Sequence, residues 1–96
     1  MFRVIIAGGR DFRDYDLLVK TMNHLLSNIK DDITVVCGKA RGADTLGEQY
    51  AKEYGYSNTE MAKNADALVA FWDGMSLGTR HMIEIARSRG LKVRVK

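Results

Sequence analysis

The chain has 96 residues, 46% of them hydrophobic and 28% charged, with 15 lysines and arginines against 12 acids and a net charge of +3. That length holds one domain, residues 1–96, with a small core and a modest stability that a ligand or partner would supplement. The weak positive balance suits an anionic ligand without requiring nucleic acid.

No stretch approaches the roughly 20 apolar residues needed to span a bilayer. The opening "MFRVIIAGGRD" is too short in its apolar run for a secretion signal and offers no small-residue cleavage site. A cytoplasmic protein without a membrane partner is expected. The lone Cys37, inside "ITVVCG", reads as a buried strand residue rather than a disulfide or metal ligand.

In chain order, "FRVIIA" (2–7) is nearly continuous apolar sequence rich in β-branched residues, which predicts a strand covered on both faces. Leu18, Met22, Leu25, Leu26 and Ile29 recur at helical spacing and predict a helix over 15–28. "ITVVC" (33–37) is a second buried strand. Ala43, Leu46, Gly47, Tyr50, Ala51 and Tyr54 mark a second helix, and Met61, Ala62 and Ala65 suggest a short third. "ALVAFW" (67–72) is a third strand, followed by a fourth helix with Met82, Ile83 and Ala86 on its stripe and Gly90 placed to end it. "LKVRVK" (91–96) alternates strictly, apolar Leu91, Val93 and Val95 against basic Lys92, Arg94 and Lys96, as an edge strand blunted by charge would.

This alternation predicts a minimal Rossmann-like three-layer α/β/α domain with a mostly parallel four-stranded sheet. Right-handed crossovers bring every strand-to-helix corner to the carboxyl end of the sheet, where open parallel sheets bind ligands. Three corners carry small and polar chemistry.

The first, Gly8-Gly9-Arg10-Asp11, lacks both dinucleotide and Walker spacing, yet its glycines expose backbone N–H groups and Arg10 offers a fork to phosphate. The second holds Gly38, Lys39, Arg41, Gly42 and Ala43 at the start of a helix, an anion-favouring end. Its Asp44 is either a helix cap or an acceptor for a ribose hydroxyl.

The third corner runs Asp73-Gly74-Met75-Ser76-Leu77-Gly78-Thr79 and would cradle another anion at Gly78 and Thr79, unless Thr79 is only a cap. Trp72 either stacks on a base or packs in the core. Asp11, Asp44 and Asp73 could share a divalent cation accompanying a phosphorylated ligand; no cofactor is otherwise required. His24 and His81 lack zinc-ligand spacing, and no nucleophile–base pair is visible.

Taken together, "GGRDF", "GKARGAD", "NTEM", "ADALVAFWDGMSLGT" and "MIEIA" resemble the YspA-like branch of the SLOG superfamily, which includes Lonely Guy phosphoribohydrolases and the DNA-processing protein DprA. The resemblance spans nearly the whole chain. It implies a Rossmann-like domain for nucleotides or nucleotide-derived ligands, of a kind associated with sensing in bacterial and phage conflict systems or with N-glycosidic cleavage. The matching positions are Gly8, Gly9, Arg10, Gly38, Gly42, Ala43, Asp44, Asn58, Gly74, Gly78 and Thr79.

Two departures stand out. Met82 occupies the place of the hydrolase branch's glutamate, and Glu84, two helical positions on, points about 200° away. Ser57 replaces the arginine of the family's R-N-x-x-M. Both argue for a ligand-binding or sensor module over a phosphoribohydrolase, with Asp73 the only catalytic candidate. A nucleic-acid-binding module is disfavoured, because the basic residues are scattered.

The stretch "KEYGYSN" also stands where the family has another strand and a long loop. Gly55 to Ser57 can climb at most about 10 Å, short of a strand length of roughly 17 Å. The third helix would then start halfway, the second end early, or the element be exchanged with another subunit. A sheet reduced to four strands also leaves "ITVVC" as an open edge, and self-association into a homo-oligomer is expected.

Overall fold

The computed structural model describes residues 1–9, 11–37, 43–59, 65–72 and 74–96, with the backbone alone at 43 and 44. The elements run β1 (Phe2–Gly8), α1 (Tyr15–Leu26), β2 (Ile33–Cys37), α2 (Ala43–Tyr54), β3 (Ser57–Thr59), β4 (Ala67–Phe71), α3 (Leu77–Ser88) and β5 (Lys92–Val95). They build a five-stranded sheet in the order β3-β2-β1-β4-β5, every described pairing parallel. The architecture is α/β and Rossmann-like.

Alternation along β1 sorts the two faces. Val4 and Ile6 join Leu18, Met22 and Leu26 of α1 and Tyr50 and Ala51 of α2 in the larger core. Ala7, with Ile5 beside it, packs with Leu68, Ala70, Ile83 and Ala86 under α3. β4 is buried along its whole length, because helices cover both of its sides.

The sheet has five strands rather than the four expected, and β2 is not an edge. Ser57, Asn58 and Thr59 pair with Thr34, Val35 and Val36 as a short outer strand. This removes the difficulty at Gly55. α2 ends in a left-handed glycine (Gly55, φ 74°), the Tyr56 N–H closes on the Ala51 carbonyl at 2.8 Å, and the chain climbs as strand, not helix. The segment expected as a third helix lies largely outside the described residues (60–64); Ala65, its last stripe position, is not helical.

The other elements end as their residues dictate. Asp14 caps α1, accepting from the Leu17 N–H at 3.0 Å. α3 closes in a Schellman motif: Gly90 (φ 76°) donates to the Arg87 carbonyl and Leu91 to that of Ala86. α1 meets α2 through the Tyr50 hydroxyl, which donates to Asn23 Oδ1 at 2.7 Å, and the Tyr15 hydroxyl, which donates to Glu53 Oε2 at 2.7 Å. The Tyr50 ring stacks on Tyr54, centroids 4.7 Å apart.

Gly47 lets α2 lie close on the sheet. A Cβ there would sit 3.1 Å from Cys37 Sγ and 3.2 Å from Ile6, both buried. Alanine ordinarily gains about 1 kcal/mol over glycine inside a helix, but this overpacking costs about 1–3 kcal/mol. Gly47→Ala is therefore expected to be net destabilising by chemical denaturation, and Gly47→Val more so.

Burial, with the neighbouring acid at Tyr15 and tyrosines at Tyr50, raises both phenols above the ordinary tyrosine value. A raised folded-state pKa gives stability that is complete below about pH 10 and lost as pH rises beyond it. The urea midpoint is expected to hold up to that pH and then fall, less steeply in Tyr50→Phe.

Candidate functional site

The strand order places the topological switch between β1 and β4, whose connections leave on opposite faces. A cleft of about 690 Å³ opens there at their carboxyl ends. Gly9 lies on one side of it, and Trp72, Met75 and Ser76 on the other.

Its apolar wall is built from both corners. Phe12 stacks on Phe71, the last residue of β4, with centroids 4.8 Å apart and planes at 27°. The Phe12 N–H donates to the Gly9 carbonyl at 3.2 Å, so the glycine turn folds the ring back over the sheet. Trp72 is half-buried against the α3-side core and donates its ring N–H to the Ser76 carbonyl at 3.0 Å, which ties down the third corner. Trp72 thus packs and lines the cleft at once.

The polar rim carries Asp11, Arg13, Asp14 and Lys96. The Asp14 carboxylate is engaged in capping α1. Lys96 arrives because its N–H donates to the Ala70 carbonyl and its carbonyl accepts from the Trp72 N–H, at 2.8 and 2.9 Å. The wall suits a flat aromatic group, and Arg13 and Lys96 suit an anion. Phe12, Arg13, Met75 and Lys96 were absent from the sequence-level site. For Lys96 the signal was available: strict alternation carries it to the carboxyl end of the last strand.

Of the expected residues, Gly9 and Ser76 line the cleft and Gly8 pairs with Phe71 beside it. Gly74 holds a left-handed turn (φ 87°) within the third corner. Asn58 is remote, in the middle of β3. Gly78 and Thr79 sit in the first turn of α3 and do not line the cleft. Thr79 is buried at 4% exposure, and it is Ser76 that caps the helix, accepting from the Thr79 N–H at 3.4 Å. Arg10, Gly38, Lys39, Arg41, Gly42 and Asp73 lie outside the described residues, as do the side chains of Ala43 and Asp44.

Glu84 is held by Arg80 at 3.2 Å and lies outside the cleft lining, while Met82 is exposed on α3. Among the described residues, no group of three His, Cys, Asp or Glu could hold a metal ion. The cation expected at Asp11, Asp44 and Asp73 depends on residues beyond them. No described helix is long and apolar enough to cross a membrane.

A parallel sheet in this order, with its cleft at the switch point, defines a Rossmann-like domain with a carboxyl-edge pocket. The family model of the YspA, cpYpsA-related SLOG family (YAcAr) matches residues 2–67, from β1 to the start of β4, and the chain belongs to that family. It is also similar to the Gene 61 protein of Mycobacterium phage D29, at 29% identity over 118 aligned positions that cover 97% of this chain and 94% of the relative. No solved structure matches it.

The Ser76 cap of α3 is testable by substitution. Ser76→Ala is expected to lower stability by about 0.5–1 kcal/mol, and Ser76→Gly by only a few tenths. Denaturation midpoints of the two variants check this.

Proposed function

We propose that the cleft binds a small nucleotide or nucleotide derivative and that the protein works as a ligand-binding or sensor module without catalysis. One observation carries the reading: an aromatic wall of Phe12, Phe71 and Trp72 faces a rim holding Arg13 and Lys96, at the switch point of a parallel sheet. The base lies against the wall and the phosphates turn toward the cations. Membership of the SLOG family supports the ligand class.

Arg10, Lys39 and Arg41 add positive charge from the first two corners. The backbone N–H groups around Gly9 and Gly42 cradle phosphate, Gly38, Ala43 and Gly74 shape those turns, and Asp44 or Asp73 accepts a ribose hydroxyl; the Thr79 N–H, held by Ser76, is not among the donors. A divalent cation accompanying the phosphates is compatible with this arrangement. The intracellular occurrence of nucleotides fits a cytoplasmic protein, and a nucleotide sensor fits a phage or bacterial conflict system.

A thermal-shift series with nucleoside mono- and diphosphates, ADP-ribose derivatives and cyclic dinucleotides tests this. A ligand at 100 times its Kd stabilises by about 2.7 kcal/mol, which in a domain of this size raises Tm by about 10 °C or more. Phe12→Ala and Lys96→Ala should weaken the shift while leaving the unliganded fold intact; wild-type shifts in both would misplace the site. No free base should appear from nucleoside monophosphates, because Met82 cannot transfer a proton and Ser57 supplies no charge to anchor a phosphate. Multiple turnovers abolished by Asp73→Asn would instead establish a hydrolase.

Self-association is favoured by a separate observation. Met75, Leu77, Met82 and Ile85 leave large apolar surface exposed on one corner and the helix that follows it, Met75 at 82% and Leu77 at 76%. A dimer or larger species is expected in sedimentation at micromolar concentration. Leu77→Glu together with Ile85→Glu should give a monomer.

A further inference from the structure

We propose that the open edge of β5 docks an acidic peptide segment, which joins the sheet as a sixth strand with carboxylates on alternate residues and apolar side chains between them. The backbone is available for this. Lys92 and Lys96 donate their N–H groups to Asp66 and Ala70, at 3.2 and 2.8 Å, on the β4 side. In a parallel pair the intervening residues, Val93 and Val95, then direct their N–H and C=O groups outward. β5 is the last strand in the sheet order, so no further strand among the described residues meets them.

The side chains say what the incoming strand must carry. Lys92 and Arg94 flank a groove of about 200 Å³ whose floor includes Phe2, Leu25 and Ile29 beneath α1. Lys96, on the same face two residues on, reaches the cleft. Cations on alternate strand residues stand about 6.6–6.8 Å apart, the spacing of every second side chain on a neighbouring strand. On the other face, Leu91 and Val93 pack with the α3-side core, and Val95, 37% exposed, extends that apolar row.

Among the described residues the row of charge, Lys92, Arg94 and Lys96, meets no ion-pair partner. Asp66, at the foot of the strand, accepts the Arg3 N–H through Oδ2 at 2.8 Å and is in no ion pair with the stripe among the described residues. At the top, Asp14 caps α1, and Asp11 is an exposed residue of the opposite rim.

The occupant follows by complementarity. A second copy pairing through β5 would set lysine and arginine against lysine and arginine. The chain's other edge, Ser57-Asn58-Thr59, has no carboxylate to offer. Single-stranded nucleic acid would meet the charge but find no exposed aromatic platform along the stripe, since Phe2 is partly buried in the core. An alternating acidic and apolar strand satisfies both faces and the outward backbone groups together.

The test uses the full chain and a fluorescein-labelled peptide alternating glutamate and valine over seven residues. Three controls accompany it: a glutamine-for-glutamate peptide, a peptide with the same glutamates and valines in two blocks, and an oligothymidylate. Saturable anisotropy is expected for the alternating peptide, with each control and the Arg94→Glu variant at least about tenfold weaker, equivalent to about 1.4 kcal/mol. Hydrogen exchange of wild type should slow at Val93 and Val95 on peptide binding, a readout independent of any effect of the substitution on folding. Equal binding of the block or glutamine peptide, slowing elsewhere without slowing at Val93 and Val95, or no saturation at millimolar peptide overturns the proposal. Preference for the oligothymidylate overturns it in favour of nucleic acid.

Discussion

Everything in this fold is arranged around β1. It is the central strand, paired with β2 on one side and β4 on the other, and its side chains enter both cores by simple alternation. A strand covered on both faces and bonded at both edges has only its ends exposed. Its amino end is taken up by hydrogen bonds: Phe2 N–H donates to the Asp32 carbonyl, Arg3 N–H to the Asp66 carboxylate, and Asp66 N–H back to the Arg3 carbonyl. The carboxyl end, Gly8 and Gly9, remains beside the cleft. Because connections leave β1 and β4 on opposite faces, that end opens into a cleft rather than lying under a helix.

Much of this was legible in the sequence, because burial on both faces leaves a strong signal. "ITVVC" is β2 residue for residue, and the stripe from Ala43 to Tyr54 has the bounds of α2. Gly90 marked the end of α3, since only glycine takes that left-handed turn cheaply. The alternation of "LKVRVK" identified an edge strand. β3 escaped for the converse reason: Ser57, Asn58 and Thr59 have no apolar residue and form only three ladder positions, so neither periodicity nor composition marks them. What makes them a strand is tertiary, the presence of β2 alongside.

The site was legible as a place more than as a set of contacts. Topology alone brings strand-to-helix corners to one edge, and the glycines advertised them. The wall of the cleft was not legible, because Phe12 stacking on Phe71 joins residues 59 positions apart in sequence, and an aromatic in a loop carries no signature of its partner. Thr79 is the reverse case. A threonine two residues into a helix looks like a cap or a ligand donor, but the first turn rotates it toward the sheet, and Ser76 is the residue outside the helix that can cap it.

The two ends of the sheet therefore divide the labour. At the amino end, backbone bonds lock β1, β4 and β5 together through Arg3, Asp66 and Lys92. At the carboxyl end, the described contacts of the corners are local ones: Phe12 stacks on Phe71 and bonds the Gly9 carbonyl, while Ser76 accepts from the Trp72 ring and the Thr79 N–H. Local contacts of this kind open at less cost than a ladder buried in the core. A ligand lying against those rings would be held by some of the same groups that hold the corners in place. Lys96 belongs to both regions, anchored by the ladder to Ala70 and Trp72 while its side chain stands at the cleft. It is through this residue that anything pairing with β5 would reach the ligand.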